Sequence, residues 1–184
     1  MSNENPNPQP YDEVEAESVA ESTRGNPTGV RWLRLLFFLI VSWFVMVTTH
    51  EIGHVFGGVS SGAVLQQVEL RPWKLPHSYF DPDPKPLITL WCGPIFGVLV
   101  PWLLASLLRL HWSRFVASFS MLANGIYLAV AWMTGDHLLD TPRLLAAGAS
   151  PASIIAFCIV TIGFGYPQFR QACLNCLSPK TAVF

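Results

Sequence analysis

Charged side chains are scarce in this sequence, and they are missing in blocks. Lys, Arg, Asp and Glu make up 12% of the 184 residues, about half the share of a soluble domain, and nearly vanish over long stretches. That scarcity argues against a water-soluble globule. No basic cluster is present and the formal net charge is −1, so the clustered basic surface that nucleic acid requires is missing. The start lacks the basic stretch and immediate short apolar core of a cleavable signal peptide. No internal repeat is evident, which argues against a transporter. The four cysteines, Cys92, Cys158, Cys173 and Cys176, imply no disulfide framework. Cys92 and Cys158 fall in apolar segments, where thiols behave as small hydrophobes. Cys173 and Cys176 form one CxxC with no second pair to complete a four-ligand cage.

What the sequence has in quantity is apolar residues, 51% of the total, on a chain long enough for one compact unit. Four apolar segments cover residues 32 to about 59, 87–110, 115–134 and 151 to about 169. Each is close to the ~20 residues that cross a ~30 Å hydrocarbon core as a helix, and backbone amides in lipid must be satisfied internally. Trp32, Trp112, Trp132 and Tyr166 stand near segment ends, where aromatic belts sit. The expected fold is therefore an all-α, multi-pass integral-membrane bundle of four transmembrane helices. Between the first two, residues 64–71 partly alternate, with Val64, Val68 and Leu70 on one side and Gln67, Glu69 and Arg71 on the other. Period two predicts a strand, and Pro72, Pro76, Pro82, Pro84 and Pro86 prevent a helix before the second span. A short strand or hairpin at the membrane surface fits.

Residues 1–30 hold six acidic residues against one basic residue, Arg24, and should form a disordered acidic tail. Residues 31–170 would form the membrane domain and residues 171–184 a short C-terminal tail. A link over residues 109–114 joins the second and third segments. With the N-terminus inside, seven Lys and Arg lie inside and four outside, so the positive-inside rule favours a cytoplasmic N-terminus in a cell (inner) membrane. Nothing in the sequence sets an oligomeric state.

One pentad carries chemistry: His50-Glu51-Ile52-Gly53-His54. At this chain's His and Glu frequencies an accidental HExxH has a chance of about half a per cent. A charged group at mid-bilayer costs from about 2.5–3.5 kcal/mol upward and normally persists for a function or faces a wet cavity. Residues four apart share one helical face, so both imidazoles can converge on one ion. Zinc takes neutral histidine nitrogen, and a catalytic zinc leaves one position for water. Glu51, beside the first ligand, is then placed as general base and acid. The alternative is a packed pair of histidines with a satisfied glutamate. A third protein ligand is needed. In a sequential bundle it should come from the far end of the third helix, where Asp136, His137 and Asp140 lie. Asp140 also reads as the N-cap of a short helix starting near Pro142, and Asp136 as a polar marker of the membrane exit. Asn124 can bind substrate backbone, stabilise an oxyanion or bond a neighbouring helix. Gly93-Pro94 reads as a helix start or a substrate contact, and His77 and His111 as solvated loop residues.

From residue 45 to 145 the chain resembles the site-2-protease family of intramembrane zinc metalloproteases. Residues 50–54 match that family's HExxH helix, followed by the small residues Gly57 and Gly58. The Trp-Cys-Gly-Pro-Ile-Phe-Gly run ending at Gly97 is similar to its Gly-Pro segment, which opens the second core helix. The run Leu139-Asp140-Thr141-Pro142-Arg143-Leu144-Leu145 is similar to its Leu-Asp-Gly-Gly-Arg segment. The resemblance implies one zinc held by His50, His54 and Asp140, with Asp136 as the alternative ligand. It also implies cleavage of a membrane-protein substrate in or near a transmembrane segment. Thr141 and Pro142 replace two glycines of the family pattern, and Gly97 stands where an asparagine often follows Gly-Pro. A non-catalytic metal-binding membrane protein, with a structural, sensing or partner-binding role, is the competing expectation.

Overall fold

The computed structural model describes residues 27–178, except for residues 72 and 75. The expected tail therefore lies outside the described residues up to residue 26. Its last part is corrected: α1 spans Pro27–Ser60, because proline at a first helical position needs no amide partner. The other elements are β1 (Leu65–Glu69), β2 (His77–Phe80), α2 (Pro86–Leu108), α3 (His111–Thr134), α4 (Asp140–Ala146) and α5 (Pro151–Leu177). Four of the helices are long and apolar enough to cross a membrane. Large apolar side chains on their outer faces, such as Leu107 at 78% exposure, form the kind of surface that in water would be an interaction or aggregation site.

Two boundaries differ from expectation for local reasons. The link between α2 and α3 is only Arg109 and Leu110. Arg109 closes α2 in the left-handed region at φ 54°, and residues 111–114 are already the first turn of α3. The expected C-terminal tail is helical as far as Leu177, since Gln168, Arg170, Gln171 and Ala172 are good helix formers. Cys173 and Cys176 consequently sit on one helix as free thiols.

The strand expectation is met by a hairpin, shorter than residues 64–71 and out of strict alternation. β1 and β2 pair antiparallel, Leu65 opposite Phe80 and Glu69 opposite His77, with an irregularity between Leu65 and Gln67. The extra residue, Gln66, donates its side-chain amide to the Asp81 carbonyl at 2.7 Å, and a bulge of this kind breaks period two. β2 alternates cleanly instead: Ser78 and Phe80 are buried, His77 and Tyr79 exposed.

α3 is the central helix, packed against α1, α2 and α5, with α4 folded under its C-terminal end. Arg31 Nη1 donates to the Leu177 carbonyl at 3.5 Å, so the start of α1 lies beside the end of α5. Leu90, Leu128, Leu144 and Ile154 form one buried cluster that joins α2, α3, α4 and α5. This cluster is the floor on which the polar site rests.

Candidate metal centre

His50, Glu51 and His54 lie on the C-terminal half of α1, all buried, and their ligand atoms lie within 4.8 Å of one another. This group can hold a metal ion. The two imidazoles stand edge to face with centroids 4.8 Å apart, as spacing of one turn dictates. Their Nε2 atoms are 3.0 Å apart.

Asp140 reaches the same point from α4. Gly135 ends α3 in the left-handed region, a turn follows, and Asp140 is the first residue of the next helix. Thr141 Oγ1 donates to the Leu128 carbonyl at 2.7 Å, which ties α4 to α3 and fixes where Asp140 points. Its Oδ2 lies 2.8 Å from His50 Nε2 and 3.3 Å from His54 Nε2. The N-cap expected at Asp140 is corrected. The cap residue is Leu139, with no side-chain cap bond, because the carboxylate is turned to the imidazoles. Burial pushes the Asp140 carboxyl up, but the positive charge of His54 and the contacts with both imidazoles outweigh it and hold it well below the usual carboxylate range. Asp136 accepts the Leu138 N–H, and its nearest ionic partner is His137 at 3.8 Å, itself 91% exposed. Neither is brought to the imidazole pair.

The far side of each ring fixes its tautomer. Asn124 Nδ2 donates to the Ser120 carbonyl at 2.8 Å, so its Oδ1 is the atom facing His50 Nδ1 at 2.7 Å. His54 Nδ1 faces the Thr89 carbonyl at 2.9 Å. Both partners are acceptors, so both Nδ1 atoms carry hydrogen. In the neutral rings both Nε2 atoms are then bare lone pairs. Two ring nitrogens and a carboxylate oxygen face one another at 2.8–3.3 Å, close enough for a proton on Nε2 to be donated to Asp140 or for a metal ion to take that proton's place. Two imidazole nitrogens and a carboxylate oxygen are donors of the type that divalent metal ions accept. Ligand atoms of a tetrahedral ion with bonds near 2.0–2.1 Å stand roughly 3.3 Å apart, the His54–Asp140 separation, so the other two contacts would open by a few tenths of an ångström around an ion.

No protein-family model, curated protein or solved structure matches the chain.

The functional reading therefore rests on these side chains and on what surrounds them. Glu51 Oε2 accepts a hydrogen bond from Ser78 Oγ on β2 at 2.9 Å. Tyr127 sets its ring edge-on to His50, centroids 5.5 Å apart, and its hydroxyl accepts the Asp140 N–H at 3.5 Å. Gly93 and Gly97 stand one turn apart on α2, and each makes room for a site group. A Cβ on Gly93 would overlap the His54 ring, and one on Gly97 would overlap the Asn124 carboxamide. Gly93-Pro94 lies inside α2 rather than at its start, because Pro86 opens the helix two turns earlier. Asn124 bonds a neighbouring helix, and the group it bonds is His50. Ser78, Thr89 and Tyr127 were not anticipated from sequence. Tyr127 had a signal, its place one turn after Asn124 on the same face.

Proposed function

We propose that the chain is a multi-pass integral-membrane zinc metalloprotease that hydrolyses peptide bonds in or near transmembrane segments of other membrane proteins. One observation carries this reading. Two buried imidazoles turn Nδ1 to the acceptors Asn124 Oδ1 and the Thr89 carbonyl, so both Nε2 atoms face the Asp140 carboxylate, with the Glu51 carboxylate alongside. A site for structure alone has no need of a further carboxylate beside its ligands. The resemblance of residues 45–145 to the site-2-protease family supports the same reading, and the four long apolar helices support residence in a bilayer.

His50, His54 and Asp140 would hold the ion. Zinc, when bound, supplies Lewis acidity toward a carbonyl oxygen and toward water. Glu51 takes the proton from the attacking water and later delivers it to the leaving amine, so water adds across the C–N bond with no net proton change. Ser78 holds one Glu51 oxygen and leaves the other for that transfer. Asn124 and the Thr89 carbonyl keep the imidazoles aimed, as outer partners of ligating histidines do. The apolar surroundings exclude bulk water and strengthen these charge interactions.

The test is metal analysis of the purified protein together with a membrane-substrate cleavage assay on wild type, His54→Ala and Glu51→Gln. Wild type should carry about one zinc per chain and cleave. His54→Ala should lose both properties, and Glu51→Gln should keep zinc and lose cleavage. Full activity in Glu51→Gln would end the proposed mechanism. Zinc retained by a wild type without activity would favour the non-catalytic metal-binding role.

A further inference from the structure

The end of the bundle remote from the imidazoles contains a cavity of about 1240 Å³. It is built from the early turns of α1 and α3 and the last turns of α2 and α5. α2 and α5 pack mainly on α1 and α3 rather than on each other, which leaves the gap. Roughly 24 Å of helical rise separates Arg34, on its wall, from His50.

Its lining is positive. Arg34, Arg109, Arg114 and His111 contribute to it, and among the described residues no Asp or Glu does. Among the described residues Arg109 and Arg114 make no ion pair. Every described carboxylate belongs to the imidazole end, the hairpin or the flanks of either. The first turn of α3 has no side-chain cap and adds the partial positive charge of a helix N-terminus. Trp102 also lines the cavity, and its buried indole N–H has no hydrogen-bond partner among the described residues. The two rim arginines are exposed, whereas Phe115, Ala105 and Ala117 on the same lining are buried. The wall therefore changes from cationic to apolar with depth. The volume exceeds the roughly 300–1,000 Å³ of a small-molecule pocket and far exceeds the needs of a free phosphate.

We propose that this cavity binds an anionic phospholipid. The headgroup phosphate meets Arg34, Arg109 and Arg114, an ester oxygen meets the Trp102 N–H, and acyl chain lies along Phe38 and Phe115. Basic pockets between transmembrane helices take such headgroups. The inference rests on the bilayer residence proposed above and not on the chemistry at His50.

Native mass spectrometry of the full-length protein in detergent, titrated with phosphatidylglycerol and with phosphatidylcholine of the same acyl chains, tests it. Phosphatidylglycerol should bind at least about tenfold more tightly. Arg109→Gln and Arg114→Gln, both at exposed side chains, should each weaken it about fivefold, as a loss of about 1 kcal/mol per arginine implies. Binding of phosphatidylcholine, whose choline cation already offsets its phosphate, should weaken less, so that the preference narrows, and Lys85→Gln at the other end should change neither lipid's binding. Equal affinities for the two lipids would overturn the proposal, as would a preference that survives in the double variant. Displacement by millimolar inorganic phosphate would make the cavity a free-anion site. A preference seen only after deletion of residues 2–26 would give the cavity to that acidic segment. Failure of the wild type to float with vesicles of either lipid would count against bilayer residence instead.

Discussion

Two ring nitrogens lie 3.0 Å apart, and among the described residues Asp140 is the anionic group in direct contact with both. Removing that carboxylate should therefore do more than removing any neighbour. Asp140→Ala is expected to lower zinc affinity and activity severely, while Asp136→Ala, whose side chain bonds its own turn, changes either less than about twofold, as for surface substitutions. A zinc competition titration of the two variants measures the ranking, and the reverse order would move the third ligand one turn back. That His50, Glu51 and His54 come together was legible in the sequence from side-chain identity and spacing, whereas Asp140 is one of three candidates at the end of the third helix and is preferred there on the resemblance alone. The hold on His54 was not legible, because it comes from the Thr89 main-chain carbonyl, which every residue type offers. The close approach of Gly97 to Asn124 was illegible for a related reason: it arises only where two helix faces meet, and facing is a property of the packed bundle.

The hairpin is the element whose contribution was least visible beforehand. Alternation in residues 64–71 pointed to β1, yet the strand that touches the site is β2, and it does so through Ser78. Its register against β1 is displaced by the bulge at Gln66, so no count along the sequence brings Ser78 to Glu51. Since Ser78 Oγ donates to one Glu51 oxygen, Ser78→Ala should leave zinc content unchanged and slow cleavage about tenfold, the lower end of what losing an outer partner costs. Steady-state kinetics beside metal analysis separates the two effects. A fall in zinc content equal to the fall in rate would show instead that the hairpin braces the ligands. The helices were easier to foresee, because runs of apolar residues of membrane-crossing length admit few other forms. Their ends were harder: α5 overruns its apolar stretch to Leu177 because nothing there breaks a helix.

Across the whole molecule, the imidazole pair and its contacts draw on α1, α2, α3, α4 and the hairpin. An ion held there binds the folded bundle and not the separated helices, so it should raise thermal stability by mass action, about 4 kcal/mol at a thousandfold excess over Kd. Chelator treatment is thus expected to lower the apparent Tm of wild type in detergent and to leave that of His54→Ala unmoved. Equal melting of wild type with and without chelator would show that the bundle stands without the ion. The sequence distance between partners has a further consequence, for biogenesis. His50 and Asp140 are 90 residues apart, and α1 is the first of the four long apolar helices to leave the ribosome. At about 5–20 residues per second, roughly 5–18 s pass before the carboxylate that completes the trio has been made. During that interval the nascent chain carries its two imidazoles and their glutamate without Asp140, Asn124 or Thr89 to aim them. The proposed hydrolase, assembled in this order, would be inert while its own later helices, and those of its neighbours at the insertion machinery, are still unfolded and cleavable.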